Sequence, residues 1–147
     1  QPTSFFVGGA LNLTPQDPEA EIKNLRRKLR AGADFLLTQP VYEPPLAEKF
    51  LQRYADQFGQ LDIPILVGVL PLYSARHAAF LHNEVPGVSI PDVLQQRIQQ
   101  AGEGAAREGV RIAIELIEKI SPWARGIYLM PQFSRYDLAA EVIEGLK

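Results

Sequence analysis

Four short apolar runs, Phe5 to Ala10, Phe35 to Gln39, Ile63 to Leu70 and Gly126 to Met130, are each followed by sequence of helical character. The runs are too continuous for strands with one solvated face, and runs of this kind are typical of a parallel sheet covered on both faces. They recur at about thirty residues twice and about double that once, the interval of strand–helix crossovers with one insertion. Three of them end against a proline, at Pro40, Pro71 and Pro131. Proline has no N–H to give to a ladder, so each marks the strand's exit from the sheet.

The helical segments carry their own punctuation. In the first, Asp17 is placed to cap, Pro18 takes the first helical position and Gly32 falls just past the end. Ile22, Leu25 and Leu29 share one face, and Arg26, Arg27 and Arg30 occupy the opposite flank, which predicts an outer-layer helix resting on a sheet. A second helix is expected over about Leu46 to Phe58, with Phe50, Leu51, Tyr54 and Phe58 at helical spacing and Gly59 as its stop. Further helices are expected at Ala75 to Leu81, Pro91 to Gln100, Glu103 to Ile120 and Asp137 to Leu146.

The pattern is α/β, four parallel βα units in one domain over residues 1–147. Two architectures satisfy it, a small doubly wound sheet or half of a TIM (β/α)8 barrel. The chain opens at Gln1 without an initiator Met and enters an apolar run almost at once, which reads as a fragment and favours the half-barrel. Half a barrel leaves two open strands, so homo-oligomerisation by edge pairing is expected.

Composition excludes several classes of function. Lys and Arg total 15 against 17 Asp and Glu, a net charge of −2, without the basic run that tracks nucleic-acid phosphates. There is no cysteine, hence no disulfide, thiolate-bound zinc, iron–sulfur cluster or thiolate nucleophile, and redox chemistry needs a borrowed cofactor. No apolar run approaches the ~20 residues of a membrane helix and no secretory signal pattern opens the chain, so the expected location is the cytoplasm.

The stretch from Ala31 to Tyr42 runs a helix end into a strand that stops at Thr38 and Gln39. A Gln amide both donates and accepts, which suits a flat heterocycle with mixed edges such as a pterin or flavin; the competing reading is that Thr38 and Gln39 serve local loop backbone. Glu21 and Lys28, seven apart, lie on nearly the same helix flank and can reach a cofactor or simply face solvent. Gly8, Gly9, Ala10 and Asn12 form a small-residue strand end that admits a ligand close to the backbone, or makes a tight turn.

Other motifs lead nowhere. Gly102, Gly104 and Gly109 do not make a dinucleotide loop, because Arg107 takes the third glycine's place and no strand precedes them. His77 and His82, five apart, cannot build a metal site, and surface or capping roles are expected for them. Ser74, Ser121 and Ser134 lack a nucleophile-elbow setting.

Taken together, AGADFLLTQPVY, the preceding DPEAEIKNLRRKLR and the following PILVGVLPLYS resemble the C-terminal half of the 5,10-methylenetetrahydrofolate reductase barrel. The order of blocks agrees from GGALN through VSIP to GIYLMPQFSR, over nearly the whole chain. TQPVY and HNEVPGVSIP look most like the bacterial bifunctional form, in which the reductase follows a homocysteine S-methyltransferase domain.

The resemblance implies an FAD enzyme in which NAD(P)H reduces the flavin and the flavin passes hydride to the folate. It implies that Gln39 contacts the pterin or nicotinamide, that Ala10, Asn12, Glu21 and Lys28 line the FAD, and that Phe80 or Leu81 supplies the apolar surface under the folate. Many relatives have Tyr-Pro-Glu in place of Asn12-Leu13-Thr14, and Asp in place of Glu21. The acidic residue that assists the folate, and much of the flavin surface, belong to the family's N-terminal half, so the isolated chain is expected to be inactive. The alternative is a non-catalytic α/β module that self-associates through its sheet edges.

Overall fold

The computed structural model describes residues 4–147; Gln1 and the start of the domain expected over 1–147 lie outside the described residues. Strands β1 (Gly8–Leu11), β2 (Phe35–Pro40), β3 (Ile65–Val69) and β4 (Gly126–Leu129) alternate with helices α1 (Pro18–Arg30) and α2 (Pro44–Phe58). Three helices, α3 (Ala75–Glu84), α4 (Asp92–Gln100) and α5 (Ala105–Ile120), fill the long interval before β4, and α6 (Tyr136–Gly145) closes the chain. All pairings are parallel, in the order β1-β2-β3-β4. A doubly wound sheet reverses its strand order partway across; this one does not, and it has the arrangement of half a (β/α)8 barrel.

Burial shows which face the helices cover. Along β2, Leu36, Thr38 and Pro40 are buried, whereas Phe35 and Leu37 are half-buried and Gln39 is exposed. The helices therefore cover one face and leave the other open, which corrects the expectation of a sheet covered on both sides. The first run is corrected too: β1 begins at Gly8, and Phe5, Phe6 and Val7 are 76%, 75% and 49% exposed. Phe6 stacks on Phe35 at 5.2 Å between ring centroids, and Phe35 lies over Gly8, but Phe6 itself stays exposed.

The helix signals operate as chemistry requires. Asp17 accepts from the Ala20 N–H at 3.0 Å, Glu19 and Glu21 sit in the first turn of α1, and Arg27, Lys28 and Arg30 sit in its last turn. Both charge placements favour the helix dipole. α2 starts two residues before the expected Leu46, because Pro44 and Pro45 suit a helix's first turn. Residues Gly102–Gly104 form a single 3-10 turn ahead of α5, since glycine is a poor helix former and Gly102 has φ of +52°.

α5 buries eight residues against β3 and its neighbouring helices. Its polar side is tied to α4 by Arg97, which donates to Glu115 at 2.7 and 2.8 Å and to Glu108 at 2.8 Å. These bonds hold the Glu115 carboxyl below the usual range. The group is partly solvated, so Arg97→Ala should lower stability by only about 1 kcal/mol, read from urea denaturation.

Candidate functional site

Asn12, Gln39, the loop after β3 and the loop after β4 all lie at the C-terminal edge of the sheet, where ligands of parallel α/β folds bind. Four of the residues singled out from sequence meet there. Lys28 Nζ, reaching back from the last turn of α1, donates to the Ala10 carbonyl and lies 3.9 Å from Glu21 Oε1. Glu21 Oε1 in turn accepts from the Asn12 N–H at 3.1 Å. The ammonium is half-buried, held by one carbonyl and one carboxylate, and keeps a donor for a further anion.

Asn12 is committed to structure as well. Its Oδ1 accepts from the Thr14 N–H at 2.9 Å and its Nδ2 donates to the Gly87 carbonyl at 3.4 Å. The segment after α3 is thereby strapped across to the end of β1. His82 holds the far end of this strap, its Nδ1 accepting from the Ile90 N–H at 3.1 Å. A methyl on Gly87, whose φ is +82°, would meet Asn12 Nδ2 at 3.0 Å.

Thr38 and Gln39 separate into two roles. Thr38 is buried, and its Oγ1 accepts from the Gly68 N–H at 3.0 Å while donating to the Gln39 carbonyl at 2.7 Å. It repairs the ladder where β2 carries one residue more than β3, between Leu37 and Pro40, so the local-backbone reading holds for Thr38. Thr38→Val should strand the buried Gly68 N–H and cost about 1–3 kcal/mol, measured by urea denaturation. Gln39 is exposed, and among the described residues its side-chain amide makes no hydrogen bond.

Sequence reasoning passed over Tyr128. Its hydroxyl donates to the Thr38 carbonyl across Gly68, where a Cβ would lie 3.0 Å from that hydroxyl. Burial raises its pKa, which keeps the phenol protonated as a donor. The available signal was Gly68 within an otherwise branched strand, which marks a close approach by another group. Tyr42 was also missed; its buried hydroxyl donates to the Leu70 carbonyl at 2.9 Å and ties the end of β2 to that of β3.

On α3, Phe80 is 51% exposed whereas Leu81 is 1% exposed and belongs to the core. Ser74 caps this helix by accepting from the His77 N–H at 3.1 Å. The surface role expected of His77 does not hold: it is 3% exposed. Among the described residues no cluster of three potential metal ligands occurs, and no helix is long and apolar enough to cross a membrane.

The arrangement defines a parallel α/β protein with small residues and a lysine cation gathered at the C-terminal edge of its sheet. A family model described as methylenetetrahydrofolate reductase matches residues 10–144, and the chain belongs to that family. Among curated relatives, it is 32% identical over 116 residues to methylenetetrahydrofolate reductase 2 of Schizosaccharomyces pombe, covering 76% of this chain and 18% of the relative. It is 28% identical over 111 residues to methylenetetrahydrofolate reductase (NADH) 1 of Arabidopsis thaliana, covering 73% and 18%. The chain thus spans under a fifth of the length of these relatives. Among solved structures, an uncharacterized protein from Clostridium thermocellum that binds two copies of 5-methyl-5,6,7,8-tetrahydrofolic acid aligns with a TM-score of 0.69 at 18% identity, over 95% of this chain and 51% of that one.

Proposed function

We propose that residues 1–147 form one domain, the flavin-facing and folate-facing half of a reductase barrel that converts 5,10-methylenetetrahydrofolate to 5-methyltetrahydrofolate. The observation that carries this reading is the meeting of Ala10, Asn12, Glu21 and Lys28 beside the free amide of Gln39 at one sheet edge. FAD fits these groups. Lys28 offers a cation to a diphosphate. The space beside Gly8 and Gly9 is taken by the side chains of Phe35, Leu36 and Lys28, so those two glycines serve packing and leave Ala10 and Asn12 as the strand-end positions beside the cofactor. When bound, FAD supplies the hydride chemistry, taking electrons from NAD(P)H, a co-substrate in keeping with the NADH in the name of the Arabidopsis relative.

The chain's own residues bind and orient. Lys28 holds the anionic part of the cofactor, with Glu21 fixing the ammonium. Gln39 presents a donor and an acceptor to the edge of the pterin or nicotinamide, and Tyr128 stiffens the backbone beneath it. Phe80, rather than the core residue Leu81, offers apolar surface to the folate. A folate ligand accords with the methyltetrahydrofolate bound by the Clostridium protein.

The reading extends to the cytoplasm, to a homocysteine S-methyltransferase domain upstream in the parent polypeptide, and to inactivity of this half alone. Its test is NADH-dependent reduction of methylenetetrahydrofolate by the full-length polypeptide. Gln39→Ala should lower kcat/KM for the folate at least tenfold, and an unchanged value would remove Gln39 from the site.

A second reading, a self-associating module without flavin, is favoured by the exposed Phe5 and Phe6 beside the edge strand β1. In either reading the chain self-associates through its open edges. A monomeric mass by light scattering at high concentration would contradict that.

A further inference from the structure

The same sheet edge holds a second buried polar group, on the side away from Lys28. His77, in the first turn of α3, places Nε2 2.8 Å from Gln132 Oε1 in the loop after β4. Its Nδ1 is buried and, among the described residues, has no hydrogen-bond partner. The ring stacks on Tyr73 at 4.0 Å between centroids, and Tyr73 meets the edge of Phe133 at 6.3 Å. The Arg135 guanidinium lies 5.9 Å from the Tyr73 ring.

The loop so gripped is a tight turn, closed by the Arg135 N–H donating to the Gln132 carbonyl at 3.0 Å, and its two central residues carry backbone strain. Phe133 and Ser134 have φ of +51° and +61°, a left-handed conformation that costs residues with a Cβ about 1–2 kcal/mol each. Phe133 is 75% exposed, so its own burial does not compensate. Because Gln132 Oε1 can only accept, the pairing requires the proton on Nε2, and among the described residues neither amide N–H of Gln132 has an acceptor, which leaves both for a ligand.

We propose that His77 is a positioning residue that fixes the Met130–Arg135 loop in its left-handed shape, so that Gln132 and Phe133 meet the folate already arranged. It takes no part in hydride transfer. The proposal rests on the reductase reading for the identity of the ligand, and on the loop's geometry alone for the positioning.

The test compares His77→Phe, which can keep the stack on Tyr73 but not the hydrogen bond, with His77→Gln, whose amide can replace the Nε2–H. In the full-length enzyme His77→Phe should raise KM for methylenetetrahydrofolate about tenfold, the scale of one lost hydrogen bond, with kcat and flavin reduction by NADH within about twofold. His77→Gln should recover most of the loss. Without any ligand, trypsin should cut after Arg135 about tenfold faster in His77→Phe than in wild type. Gln132→Leu removes the same bond from the loop side and should give the same faster cut, a check should His77→Phe not fold.

An unchanged KM, or an equal loss in kcat, in a folded His77→Phe protein would overturn the proposal, as would unaltered cleavage in both variants. A wild-type enzyme that turns over no folate would overturn the reductase reading instead, and the cleavage rates alone would then decide the positioning role.

Discussion

Gly109→Ala is expected to destabilise this protein by about 3 kcal/mol or more, although alanine is the better helix former. Gly109 lies inside α5, and a Cβ built on it would sit 1.6 Å from the Leu72 carbonyl oxygen and 2.6 Å from its carbonyl carbon. Propensity alone predicts a gain of about 1 kcal/mol. Against it stands a clash with backbone, which cannot rotate aside as a side chain can, and overpacking of this kind costs ~1–3 kcal/mol or more. The strain falls on a sensitive place, because Leu72 is followed by Tyr73, which stacks on His77, and by Ser74, which caps α3. Urea denaturation decides the sign: a lower midpoint supports the packing described here, and a higher one would mean that α5 does not rest on Leu72.

The second large effect concerns Lys28. Lys28→Met keeps the length and most of the apolar stem but removes the cation, and is expected to weaken FAD binding about tenfold to a hundredfold, the scale of a lost charge-assisted hydrogen bond. Stability should change by under about 1 kcal/mol, since the Glu21 pair is partly solvated. Isothermal titration with FAD, paired with thermal melts, separates the two. An unaltered affinity in a folded variant would take Lys28 out of the cofactor site.

Acid should weaken the fold through His77. Burial lowers its pKa, so more protons bind the unfolded chain than the folded one between the two values. Its contribution is complete above the ordinary histidine pKa of about 6.5 and is lost as pH falls below that, through the lower folded value. Tyr73, Gln132 and the Arg135–Asp137 pair are the polar neighbours on this side, and the hydrogen bond to Gln132 offsets part of the effect of burial. Urea midpoints should be flat from about pH 8 to 7 and fall from about pH 6.5 to 5, with a smaller fall in His77→Gln.

Much of this architecture was legible in sequence because its signals are local. The Asp17-Pro18 start and Gly32 end of α1, and the stop at Gly59, each act within a turn of the backbone they govern. The open sheet face was not legible. Apolar residues such as Phe5 and Phe6 record a preference for burial, and whether a layer covers them depends on chain that is distant or separate. The same limit applied at Thr38 and Gln39, where one side chain turned inward to mend a bulge and its neighbour stayed free, a division set by the register of β3. His77 was misplaced for a related reason, since its partner, Gln132, is fifty-five residues away.

The central claim is that the edge formed by Ala10, Asn12, Glu21 and Lys28 holds a flavin. Titration of FAD with the full-length polypeptide, followed by quenching of flavin fluorescence alongside Lys28→Met, tests it most directly. The account predicts saturable quenching at one site per chain, weakened at least tenfold by Lys28→Met. Absence of saturable quenching by a folded wild-type protein, or equal quenching by the variant, would contradict it.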